Sequence, residues 1–170
     1  NGLLIARLNI APFIATLGML YVARGFAKLI TNGETFTKLD GKPNLGNTGF
    51  IDTFAAKPLG IPLPIWVMIA FAIAFSIILN RTAFGRWLYA SGGNPRAAAL
   101  TGVPVVKVNV RIYVLSGFCA AAVGVLFTAD LHAAIPNMGE FSELNAIAAV
   151  VIGGTALSGG RGTIRGTLIG

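Results

Sequence analysis

The chain has 170 residues, of which 55% are hydrophobic and only 11% are charged, with a formal net charge of +7; its mean hydropathy is +0.76. Soluble domains carry about a quarter charged residues, so this composition excludes an ordinary water-soluble fold. The thirteen basic residues are scattered between apolar runs rather than gathered on one face, which marks topology determinants and argues against nucleic-acid binding.

The first apolar run, Leu8 to about Leu29, is long enough to cross a hydrocarbon core, with Arg7 flanking its start. Lys28 sits where it can snorkel to the interface. Arg24 lies one turn deeper and has two readings, a functional cation in the solute path or a second snorkelling side chain. Gly18 and Gly25 share one helical face and suit close helix packing. Thr31 to Pro64 is rich in Gly, Asn, Thr and Pro, which marks an irregular loop, and its charges balance: Lys38, Lys42 and Lys57 against Glu34, Asp40 and Asp52. A second span follows over residues 61–79, with Trp66 and Trp87 near its two interfaces.

The loop from Asn80 to Arg111 carries Arg81, Arg86, Arg96, Lys107 and Arg111 and no acid. The positive-inside rule puts this loop in the cytoplasm and the neutral loop 31–64 outside. Within it, Asn94 can cap a helix that starts at Pro95 and continues through Arg96-Ala97-Ala98-Ala99-Leu100, ending at Gly102 and Pro104. Such a short helix is either a turn in solvent or a handle for a partner protein. Gly92-Gly93 lacks the following Lys and Ser or Thr of a phosphate loop, so ATP is expected to be hydrolysed elsewhere.

A third span runs over residues 112–130, with Gly117, Ala121 and Gly124 as a small-residue face. Cys119 is the single cysteine, which excludes an internal disulfide or thiolate metal site. Asp130 and His132 at its end read as interfacial residues rather than a proton relay. After a short external stretch, residues 144–158 form an apolar segment broken at Gly153-Gly154, with Gly159-Gly160 close behind. The breaks either permit tight packing or form an irregular segment lining an aqueous path, where Thr155 and Ser158 offer hydrogen bonds to a polyhydroxylated solute. Glu143 before this segment suits a helix N-terminus, with a path role as the other reading. No acid pair, metal-ligand cluster, cofactor motif or activated nucleophile is visible, so the chain is not expected to be an enzyme. With Asn1 first and Gly170 in an apolar run, it reads as an interior piece of a longer chain.

Four blocks carry a resemblance: FIATLGMLYVARG (13–25), GRWLYASGGNPRAAALTGVPV (85–105), YVLSG (113–117) and ELNAIAAVVIGGTALSGGRGTIRGTLIG (143–170). Together they resemble the permease subunit of bacterial ribose-type sugar ABC importers, in the ribose/branched-chain amino-acid permease superfamily. The chain departs from that pattern at Asp130 and at Glu140-Phe141-Ser142. The resemblance implies one all-α, polytopic transmembrane domain over residues 1–170, in the bacterial inner membrane among lipid. It has a short cytoplasmic coupling helix and a Gly-broken helix near the C-terminus. It further implies alternating access for a small sugar, or for a nucleoside or branched-chain amino acid. The implied partners are a cytoplasmic ABC ATPase, an extracytoplasmic sugar-binding protein and a second permease copy. ATPase coupling then falls to Gly92, Gly93, Asn94, Pro95, Arg96, Ala97 and Leu100, and the solute path to Arg24, Glu143, Gly153, Gly154, Thr155 and Ser158. An ion-coupled secondary transporter is the competing class, but few intramembrane charges are present to couple an ion.

Overall fold

The computed structural model describes residues 1–8, 10–37 and 58–170. They form two compact units. One holds Asn1, Leu3–Met68 and Val114–Met138, and the other holds Gly2, Ile69–Tyr113 and Gly139–Gly170. Most of the external loop expected at 31–64 (residues 38–57) lies outside the described residues.

The chain opens with α1 (Gly2–Leu8) and α2 (Pro12–Thr31). Pro12 occupies the first helical position of α2, where its missing N–H is no loss, so the span begins four residues after Leu8 rather than at it. Polar side chains within α2 are satisfied by the helix itself: Thr16 Oγ1 donates to Pro12 O at 2.9 Å and Thr31 Oγ1 to Ala27 O at 2.8 Å. Asn32 in the left-handed region ends the helix. The chain then forms β1 (Phe36–Thr37), antiparallel to β2 (Ala133–Ala134), with Phe36 opposite Ala134 and Thr37 opposite Ala133. This short ladder joins the segments that follow α2 and α6, a link that no alternation in the sequence announces.

A 3₁₀ turn at Pro58–Gly60 leads to α3 (Leu63–Arg81), α4 (Ala83–Gly93), α5 (Pro95–Leu100) and α6 (Val105–Leu131). The basic loop is therefore almost wholly helical. Between α3 and α4 the only non-helical residue is Thr82, whose Oγ1 accepts from Gly85 N and donates to Ile78 O at 2.6 Å. The reversal brings α4 so close to α3 that a Cβ on Gly85 would overlap the Leu79 carbonyl and lie 2.6 Å from its carbon. Helix α6 starts seven residues before the expected span because nothing after Pro104 breaks it; Lys107 and Arg111 are exposed on its opening turns while Val108 is fully buried.

Among the described residues, three helices, α2, α3 and α6, are long and apolar enough to cross a membrane. Their side chains are mostly exposed, with none buried on α3, as suits helices solvated by hydrocarbon or by further protein. A Cβ on Gly18, Gly25, Gly117 or Gly124 would meet nothing within 4 Å, so these expected packing faces are open among the described residues.

The chain closes with α7 (Ser142–Ile152) and α8 (Ile164–Ile169), packed as a helical hairpin. Cβ atoms at Gly153 and Gly166 would each collide with the other's backbone carbonyl, and one at Gly170 with Ala149 O. Helix α7 has 11 residues. At about 1.5 Å each it is roughly half the length needed to cross the bilayer core alone.

Candidate functional site

Helix α5 is built as the sequence anticipates. Asn94 Oδ1 accepts hydrogen bonds from the N–H groups of Arg96 at 3.1 Å and Ala97 at 3.0 Å. Its own N–H donates to Ala90 O at 3.2 Å, so one residue ends α4 and begins α5. At the other end Val103 N donates to Ala98 O and Gly102 N to Ala99 O, with Gly102 at φ +85°. That is a Schellman closure, and the left-handed residue in it favours glycine. Six residues seldom hold a helix in water, so both caps are needed here. Replacing Asn94 with alanine is expected to cost about 1 kcal/mol of local stability, and amide exchange at Arg96 and Ala97 should rise roughly fivefold. Unchanged exchange there would show that packing, not the cap, holds the helix.

Only Ala98 of α5 is buried. Pro95, Arg96, Ala97, Ala99 and Leu100 are exposed, and Leu100 is 90% exposed. The helix thus presents a basic start and an apolar end with little of either used to hold the fold.

The segment after α7 packs against α4. A Schellman closure also ends α7: Thr155 N donates to Val150 O at 3.1 Å and Gly154 N to Val151 O at 3.0 Å. The chain then turns through Gly159-Gly160, and Ala156 N donates to Arg161 O at 3.1 Å. Tyr89 Oη on α4 donates to Gly162 O at 2.8 Å. Backbone meets backbone beside it: a Cβ on Gly92 would lie 2.8 Å from Gly160 N, and one on Gly160 2.9 Å from Gly93 Cα. A cavity of about 390 Å³ adjoins the contact, with Tyr89, Ser91, Asn109, Thr155, Thr163 and Thr167 among its lining residues.

The expected site residues therefore separate. Gly92 and Thr155 line the same cavity. Gly153 serves the α7–α8 contact and Gly154 ends α7, while Ser158 is exposed and does not line the cavity. Glu143 is exposed in the first turn of α7, where a carboxylate favours the N-terminal end of the dipole. Arg24 is half-buried on α2, in the other unit. His132 Nδ1 lies 3.1 Å from the Asp130 carbonyl rather than on its carboxylate. Among the described residues no group of His, Cys, Asp and Glu could hold a metal ion. Tyr89, Gly162, Gly166 and Gly170 were not singled out by sequence reasoning. For α4 the signal was the spacing of Gly85, Tyr89 and Gly92 on one helical face; Gly166 lies within α8, Gly162 before it and Gly170 at its end, so no single helical face announced these three.

Comparison with known proteins closes the question of family. The model of the family described as "Branched-chain amino acid transport system / permease component" matches residues 1–170. The chain belongs to this family. It is 47% identical to the ribose import permease protein RbsC of Bacillus subtilis (strain 168) over 170 residues, covering 100% of this chain and 51% of that protein. To the ribose import permease protein RbsC of Escherichia coli (strain K12) it is 41% identical over 174 residues, covering 100% and 52%. To the L-arabinose ABC transporter permease protein AraH of Azospirillum brasilense it is 36% identical over 170 residues, covering 100% and 48%. The chain spans about half the length of these curated relatives. No solved structure matches it. Family and fold agree on a multi-pass, helical inner-membrane permease component.

Proposed function

We propose that this chain is the ATPase-facing part of a permease that imports a small monosaccharide of the ribose class. The observation that carries the reading is α5: a doubly capped helix on an acid-free basic segment, exposing Arg96 and Leu100. An ABC ATPase binds there, through Gly93 to Ala97 and Leu100, while Gly92 faces Gly160; its closure on ATP drives the permease between inward- and outward-open states. An extracytoplasmic sugar-binding protein delivers the solute, and a second permease copy completes the pathway within the lipid. The relatives named for ribose and arabinose favour a sugar over a branched-chain amino acid.

In this reading the segment 80–111 is cytoplasmic and 31–64 external. Pairing of Phe36–Thr37 with Ala133–Ala134 supports a common side for the loops after α2 and α6. The Tyr89–Gly162 bond likewise supports a cytoplasmic position for Gly159–Gly162. Thr155 offers a hydroxyl to the solute from the cavity lining. Gly153 and Gly154 hold the broken hairpin in shape, and Arg24, Glu143 and Ser158 contribute polar groups at other levels of the path.

The test uses the full-length permease in its native membrane, with Cys119→Ala and Arg96→Cys and a short thiol crosslinker applied from the cytoplasmic face. Capture of an ATP-binding cassette subunit, altered by ATP and vanadate, is the expected result. Labelling only from outside would overturn the topology. Cytoplasmic labelling without ATPase capture in any nucleotide state would leave an ion-coupled carrier as the better reading.

A further inference from the structure

Helix α5 is not joined to the rest of its unit through chain continuity alone. Asn94 closes α4 and opens α5 with the same residue, so the two helices share a hydrogen-bonded corner. The far face of that corner, Gly92-Gly93, lies on Gly159-Gly160 with no side chain between them. Tyr89, one turn back, donates to Gly162 O at 2.8 Å across 73 residues of sequence. Behind the Gly159–Gly162 tip, α7 and α8 are themselves in backbone contact at Gly153, Gly166 and Gly170.

We propose that this seam is the receiver of the transport stroke: Tyr89, Gly92 and Gly160 are positioning residues that carry displacement of α5 directly into the α7–α8 hairpin. The proposal rests on the reading of α5 as the ATPase handle. Its physical basis is the lack of compliance at the seam. Side chains can absorb a small shift by changing rotamer, whereas touching backbones have no rotamers and closely packed interiors pass strain on. Gly160 also sits at φ +76°, so the tip's path is set by a conformation that L side chains rarely adopt. The hairpin follows α5 as a body, and the cavity beside Thr155 and Thr163 changes shape with it.

The experiment uses the full-length permease with its ATPase and binding protein in proteoliposomes, and reads solute moved per ATP hydrolysed. Gly92→Ala puts a methyl group on the Gly160 amide and wedges the seam open. Tyr89→Phe removes the bond to Gly162 and adds no volume. Both are expected to leave crosslinking of Arg96→Cys to the ATPase unchanged and ATP hydrolysis running. Solute moved per ATP should fall about two- to thirtyfold, the range that residues along a coupling route command. Combined, the two changes should give less than the product of their separate effects, because they open one seam.

An unchanged ratio with normal capture overturns the proposal. A parallel fall in hydrolysis and transport also overturns it, because the seam would then serve assembly rather than transmission. Should Gly92→Ala fail to accumulate, Tyr89→Phe decides by the same ratio. Failure of the parent Arg96→Cys protein to capture any ATPase is a different result, and it removes the ABC reading itself.

Discussion

Leu100→Asp in the full-length permease is expected to abolish ATP-driven uptake and to weaken ATPase binding by about thirtyfold or more, with the permease folded as before. The leucine ends α5 and is 90% exposed, so its removal takes no buried contact from the fold described here. An apolar side chain held out from a capped, six-residue helix has the form of an interface anchor. Such anchors, when truncated, cost about 2 kcal/mol or more, which is roughly thirtyfold in affinity. Aspartate adds the desolvation of a charge in the partner's pocket. The acid also works against the basic character of the segment 80–111, which carries five cations and no anion. Affinity of the solubilised permease for its ATPase, measured beside the thermal midpoint, separates binding from folding. Equal affinity in parent and variant would falsify the placement of the ATPase at this helix.

Gly153→Val should be the most damaging substitution in the C-terminal hairpin, and Gly154→Ala, one residue on, a mild one. At Gly153 any Cβ collides with the Gly166 carbonyl, and the colliding atoms are backbone, which cannot rotate away. Overpacking of this kind costs about 1–3 kcal/mol where a core can adjust, and more is expected where two backbones must part. Because α7 is about half a membrane span long, it depends on α8 for cover. Gly154 instead has φ +82° with nothing within 4 Å of a Cβ, so alanine there meets only the left-handed penalty of about 1–2 kcal/mol. Thermal unfolding in detergent and membrane yield should rank the two clearly, with Gly153→Val losing most of its folded population. The reverse order would mean that the hairpin opens in the assembled permease and that Gly153 faces something other than Gly166.

These two glycines show how far the sequence reads. Their presence in an apolar run announced a broken helix, and the break falls where it was expected. The reasons differ, one a close approach and the other a helix stop, and composition cannot separate them. Gly18, Gly25, Gly117 and Gly124 make the same point in reverse. Their spacing suits packing, yet a Cβ on any of them would meet nothing within 4 Å, while Gly85 and Gly92, in a basic loop, make close backbone contacts on α4. Helix α4 was not among the expected elements, and Gly85 and Gly92-Gly93 lower helix propensity near both its ends. A glycine that packs against backbone is stabilised by tertiary contact, which outweighs a propensity penalty of about 1 kcal/mol.

What the sequence determined by itself was local or cumulative: three apolar runs of spanning length, the sign of the loop between the second and third, and the Asn94 and Gly102 caps of α5. Each depends on residues within a few positions of one another, or on a sum over one segment, so each is written in one dimension. The tertiary structure alone decided which glycines touch. It also joined Tyr89 to Gly162 and paired Phe36–Thr37 with Ala133–Ala134. Those contacts form between residues some seventy to a hundred positions apart, and no period or cap records them. They exist because short helices with exposed backbone ends must find cover from distant parts of the chain, and only folding selects the partner.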